Sequence, residues 1–165
     1  MRKMASTRFL NFVLTVSSII GLGLSIYAFI VEIAIEHNRS YTPMCDISET
    51  ISCTKAFKSQ YGKGMGLFGE KSIFNRPNAL VGMIFYSLLI TFVQSNSATV
   101  NLICYFGIIL SNISSLYFAY ILYFKLHTLC IVCVSTYVVN FINLISVYLK
   151  HKKLNETEGE KEKSE

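Results

Sequence analysis

The chain has 165 residues, 52% of them hydrophobic, with 15 Lys+Arg against 10 Asp+Glu and a net charge of +5. The charges avoid two stretches: residues 9–31 carry none, and residues 77–149 carry only Lys125. A water-soluble fold spreads charge over nearly every element, about a quarter of its residues, so an ordinary soluble domain is excluded, and the chain is too apolar for disorder except at its ends.

An integral membrane protein with one polar loop remains. A helix needs about 20 mostly apolar residues to cross the bilayer, and Phe9–Val31 supplies them alone. Its Ser17, Ser18, Gly21 and Gly23 suit close helix packing. Arg2, Lys3 and Arg8 precede it as they would a signal peptide. The run is longer than a signal h-region of about 7–15 residues, and no small-x-small cleavage site follows Ile33, so an uncleaved span is expected.

The apolar block after Pro77 is divided first at Gln94-Ser-Asn-Ser97 and again at Lys125 and His127. The expected fold is therefore an all-α membrane protein, a bundle of four transmembrane helices. The spans are 9–33, 78–94, 100–124 and 128–149. A loop over 34–77 caps the bundle between the first two, 95–99 and 125–127 are short turns, and 150–165 is expected to be a disordered tail. The second run is the shortest and suits a thin membrane such as the endoplasmic reticulum, about 27 Å.

Four crossings put both termini on one side. Lys and Arg are balanced across the two sides and do not set the orientation. The final Lys161-Glu-Lys163-Ser-Glu165 is similar to a dilysine retrieval signal read in the cytosol. With the cysteine pairs below, which suit an oxidising compartment, it points to cytosolic termini and a lumenal loop. Glycosylation sequons stand at Asn38, Asn112 and Asn155.

Five cysteines occur. Cys104 is mid-span without polar company and reads as a small apolar packer. Cys45 and Cys53 lie in the polar loop, and Cys130-Ile-Val-Cys133 opens the fourth apolar run. A C-x-x-C at a helix start places two sulfurs one turn apart, where the helix dipole favours a thiolate. Thr128 is a candidate cap for that helix, and His127 precedes it as an interfacial side chain. A four-thiolate zinc site is an alternative, although structural sites usually pair two short knuckles; so are two inert structural disulfides. A dithiol relay uses both pairs. The fourth run continues Cys130, Cys133, Tyr137 and Asn140 at helical spacing, so a phenol lies one turn below the inner thiol, and Asn78 opens the second run at a comparable depth. Polar groups at membrane depth are functional candidates by default. A lipid-soluble, two-electron quinone fits this set.

The sequence resembles the vitamin K epoxide reductase family over almost its whole length. The resemblance rests on Leu24-Ser-Ile-Tyr-Ala28, Cys45-Asp-Ile-Ser with Ile51-Ser-Cys53, Phe57 and Tyr61-Gly-Lys-Gly-Met-Gly66. It continues through Asn75-Arg-Pro-Asn78, Ile84-Phe-Tyr86, Tyr120-Ile-Leu-Tyr-Phe124 and Cys130-Ile-Val-Cys-Val-Ser-Thr-Tyr137. It implies a thiol-dependent oxidoreductase of the endoplasmic reticulum membrane that reduces vitamin K epoxide to the quinone and the quinone to the hydroquinone, supporting γ-carboxylation of glutamates. Cys133 would be the attacking thiolate and Cys130 the resolving one. Cys53 would pass electrons to that pair, and Cys45 would take them from a lumenal thioredoxin-fold partner. Asn78 and Tyr137 would hydrogen-bond the substrate oxygens, Phe57 would cover its ring, and warfarin-type anticoagulants would compete for the pocket. No metal or tightly bound cofactor is implied.

Tyr61, His127-Thr128, Val81 and Met83 depart from the vertebrate pattern, which bears on anticoagulant affinity and substrate preference. Two rival readings remain. One is the same machine run backwards, a quinone-dependent thiol oxidase that forms disulfides in client proteins. The other is a non-enzymatic four-span scaffold with a stapled loop.

Overall fold

A computed structural model describes residues 2–38, 40–66, 76–95 and 97–162. Arg39, the loop segment 67–75 with Lys71 and Asn75, and Lys163 of the dilysine-like sequence lie outside the described residues. Five α-helices follow one another: α1 (Arg2–His37), the short α2 (Cys53–Lys58), α3 (Asn78–Phe92), α4 (Ala98–Tyr120) and α5 (Ile131–Glu162). α4 ends in a π-helical turn over Ile121–Lys125, where Leu126 N donates to Ile121 O at 3.0 Å. His127 then takes φ 47°, the left-handed region that non-glycine residues seldom occupy, and reverses the chain into α5.

Among the described residues, three segments are long and apolar enough to cross a membrane: Thr7–His37, Ala98–Lys125 and Ile131–Glu156. α3 is as apolar but shorter. The outer faces carry Phe9, Phe12, Leu110, Leu116 and Phe141 in exposed positions, an apolar surface that lipid rather than water would cover. α1 packs against both α3 and α5, and α5 against α4, whereas α3 and α4 touch over a smaller area. The core between them gathers Leu14, Tyr86, Leu89, Cys104, Ile108, Val139 and Val147. Cys104 is thus the apolar packer expected of it.

Several polar groups inside this bundle are cross-linked, which low-dielectric surroundings favour. Tyr86 Oη donates to Asn140 Oδ1 at 2.7 Å, and Asn140 Nδ2 donates to Ser115 Oγ at 2.8 Å. One line of bonds therefore joins α3, α5 and α4. At the far end the buried Lys150 Nζ donates to Val93 O and Ser95 O at 2.7 and 2.8 Å, satisfying carbonyls that the end of α3 leaves open.

The breaks at Gln94–Ser97 and Lys125–His127 fall where the polar residues put them. Two details differ. Residues 150–162, expected to be a disordered tail, continue α5 through Glu162. Lys and Glu are good helix formers, and extending a helix already nucleated by packing is easier than starting one. Thr128 does not cap α5: its hydroxyl donates to Thr50 O at 3.2 Å, and the helix begins three residues later at Ile131.

Candidate functional site

The site begins with the loop between α1 and α3. Asp46 organises it, accepting from Ser52 Oγ and from Thr54 N, each at 3.0 Å. Ser52 in turn caps α2 by accepting from Lys55 N at 3.2 Å. Burial alone would raise the Asp46 carboxyl, but the hydrogen bonds from Thr54, Ser52 and the Cys53 backbone outweigh it and hold the group below its ordinary range. Cys45 and Cys53 are joined in a disulfide with S–S 2.04 Å. That bond occupies two of the thiols that a four-thiolate zinc site would need.

Two hydrogen bonds dock this loop on the start of α5. Leu129 N donates to Thr50 O at 2.7 Å and Ser52 N donates to Leu129 O at 2.9 Å, which together make a parallel backbone bridge between Ile51 and Leu129. The docking brings together sulfurs 77 residues apart: Cys130 Sγ lies 3.7 Å from Cys53 Sγ, with both residues fully buried. Cys130 also caps α5 with its sulfur, which accepts from Cys133 N at 3.4 Å, a position where a helix start favours negative charge.

Cys133, one turn on, lines a cavity of about 340 Å³. Tyr137, Asn78 and Phe57 line the same cavity, together with Glu32, Tyr86 and Asn140. Asn78 is anchored from above, its backbone N donating to Gly62 O at 3.1 Å and its Nδ2 to Tyr61 O at 2.6 Å. The Tyr137 hydroxyl is buried and has no hydrogen-bond partner among the described residues. Val81 of α3 and Leu110 of α4 both line the cavity and lie on the outer surface, so the cavity opens between these two loosely packed helices onto the apolar exterior.

The residues singled out in the sequence are therefore sorted by the fold into two connected places. Cys133, Tyr137, Asn78 and Phe57 meet around the cavity. Cys130 does not line it but contacts the loop disulfide at the buried Cys53, with Cys45 beside the exposed Met44. His127 is exposed and takes no part in this cavity. Glu32 escaped the sequence reading, and Tyr86 entered it only within the Ile84-Phe-Tyr86 match. Glu32 carried a signal, an acidic residue directly after the charge-free run 9–31; the bond of Tyr86 to Asn140 was not legible, because the two are 54 residues apart.

The Vitamin K epoxide reductase family profile matches residues 12–148. The Vitamin K epoxide reductase complex subunit 1 of Rattus norvegicus is 40% identical over 126 residues, covering 73% of this chain and 77% of the relative. The protein of the same name from Mus musculus is 35% identical over 124 residues with the same coverage of each. With a match of this extent, the chain belongs to the vitamin K epoxide reductase family.

Proposed function

We propose that the protein is a thiol-dependent vitamin K epoxide reductase of the endoplasmic reticulum membrane. It converts the 2,3-epoxide to the quinone and the quinone to the hydroquinone, in support of γ-carboxylation. α3 serves as the fourth span, the loop caps the bundle on the lumenal side, and both termini are cytosolic. A lumenal thioredoxin-fold oxidoreductase reduces the loop pair at Cys45, with no metal or tightly bound cofactor taking part.

The relay is a pair of exchanges. The Cys53 thiolate attacks Cys130 of a Cys130–Cys133 disulfide; a Cys53–Cys130 bond forms and the Cys130–Cys133 bond breaks. Cys45 then attacks Cys53, closing Cys45–Cys53 and releasing the Cys130 thiol, so two electrons have moved inward. The arrangement with the loop pair bonded and Cys130 and Cys133 free corresponds to the end of that exchange and the start of substrate reduction. At the cavity Cys133 supplies the attacking sulfur. Tyr137 donates a hydrogen bond to one substrate oxygen, Asn78 holds the other, and Phe57 covers the ring. The prenyl tail leaves through the gap between α3 and α4, and warfarin-type inhibitors compete for the same space.

The observation that carries this reading is the 3.7 Å contact between Cys130 and the loop disulfide, with the partner thiol lining a cavity open to the apolar exterior. Epoxide-to-quinone conversion in microsomes tests it. Cys130→Ala or Cys133→Ala abolishes turnover even with dithiothreitol. Cys45→Ala or Cys53→Ala keeps dithiothreitol-driven activity and loses partner-driven activity. Equal loss in all four variants contradicts the relay order.

A further inference from the structure

Reduction of an epoxide needs protons as well as electrons. Two thiols and an epoxide oxygen yield a disulfide and water, so the departing oxygen must gain two protons inside a cavity lined mainly by apolar groups. The relay cysteines account for the electrons only. Among the cavity residues one carboxyl is unaccounted for. Glu32 is 3% exposed, sits within the apolar helix α1 and lines the same cavity as Cys133, Tyr137 and Asn78. Its Oε1 is buried without a hydrogen-bond partner among the described residues. An ionised carboxylate in such a place loses its hydration without replacement, which a neutral carboxyl avoids. The nearest opposite charge, Lys63, is ion-paired to Glu36 one helical turn further along α1.

We propose that Glu32 is the proton donor to the substrate oxygen, an assignment that rests on the epoxide reductase reading above. Cys133 attacks an epoxide carbon, forming C–S as the C–O bond breaks, and the alkoxide takes the proton of Glu32. The Cys130 thiol releases its proton and attacks the Cys133 sulfur, forming the S–S bond and breaking C–S, while Glu32 regains a proton. The carbanion left behind expels the hydroxyl, which takes the second proton from Glu32 and leaves as water. The carboxylate then regains a proton from the lumenal face, where Lys63 and Glu36 border it.

The test is the pH dependence of epoxide turnover by the full chain in membranes, with dithiothreitol as reductant. Loss of the donor proton makes kcat fall as pH rises. Ionisation of Cys133 acts in the opposite sense, Tyr137, Tyr86 and Tyr61 are the other titratable groups lining the cavity, and Lys63 and Glu36 flank it. Glu32→Gln is expected to lower kcat by about 10²-fold or more, to leave KM within about threefold, and to abolish the alkaline limb. Glu32→Asp is expected to restore part of kcat with that limb displaced. Turnover near wild type in Glu32→Gln, or an alkaline limb unmoved in either variant, overturns the assignment. If Glu32→Gln loses the Cys45–Cys53 disulfide, Glu32→Asp decides alone by the same criterion. Activity surviving in Cys133→Ala, by contrast, overturns the reductase reading itself.

Discussion

Tyr137 places a hydroxyl in the cavity one turn below Cys133, with no hydrogen-bond partner among the described residues. A buried donor without a partner is costly, and a substrate oxygen is the group that would relieve the cost. Tyr137→Phe keeps the ring and removes only the donor. It is expected to lower kcat/KM for the epoxide by about 10²-fold, the usual scale for one donor at a developing oxyanion. Thiol labelling should show the Cys45–Cys53 bond unchanged; unaltered kinetics would remove Tyr137 from the site. Tyr137 was legible from the sequence because helical spacing aligns it with Cys130 and Cys133. That only one of the two thiols borders the cavity was not legible. Spacing alone puts both on one stripe, whereas the docked loop draws Cys130 toward Cys53 and leaves Cys133 to the cavity.

At the scale of elements, the apolar runs foretold α1, α3, α4 and α5, but not how closely they approach. Gly21 of α1 sits against the ring of Tyr86 so tightly that a Cβ there would overlap it, and Tyr86 in turn holds Asn140. Gly21→Ala should therefore displace the ring and cost about 1–3 kcal/mol, as overpacking does. Gly23→Ala, with open space around it, should leave the melting temperature of the detergent-solubilised protein unchanged. Equal effects at both positions would argue for helix propensity rather than for the Tyr86 contact.

The loop element answers to pH. Asp46 is held below its ordinary value of 3.8 by its hydrogen bonds, so the stability it lends is complete above that value and fades as pH falls through the lowered one. A water-soluble phosphine should accordingly reduce the Cys45–Cys53 disulfide faster in strong acid than at neutral pH, and Asp46→Asn should flatten that dependence.

For the whole molecule the question is whether α3 crosses. Its 15 residues extend about 22 Å at the α-helical rise, short of a full hydrocarbon layer. Yet its two ends are pinned to opposite ends of the bundle. Asn78 is bonded to Tyr61 and Gly62 on the disulfide side, and Val93 is bonded to Lys150 where α5 leaves its apolar stretch. Length alone does not make this helix a span; with its ends held at opposite ends of the bundle, a bilayer thinned locally or thin by nature would accommodate a crossing. A fourth crossing puts both termini on the side away from the cysteines. Protease added outside sealed microsomes is then expected to remove the chain beyond Leu149 while the Cys45–Cys53 loop stays protected. The sequon at Asn155, at the exposed side of α5, is expected to carry no glycan. A glycan there would place the tail in the lumen and, because the disulfide loop lies at the other end of the bundle, would expose both cysteine pairs to the reducing cytosol, where an oxidised loop does not persist.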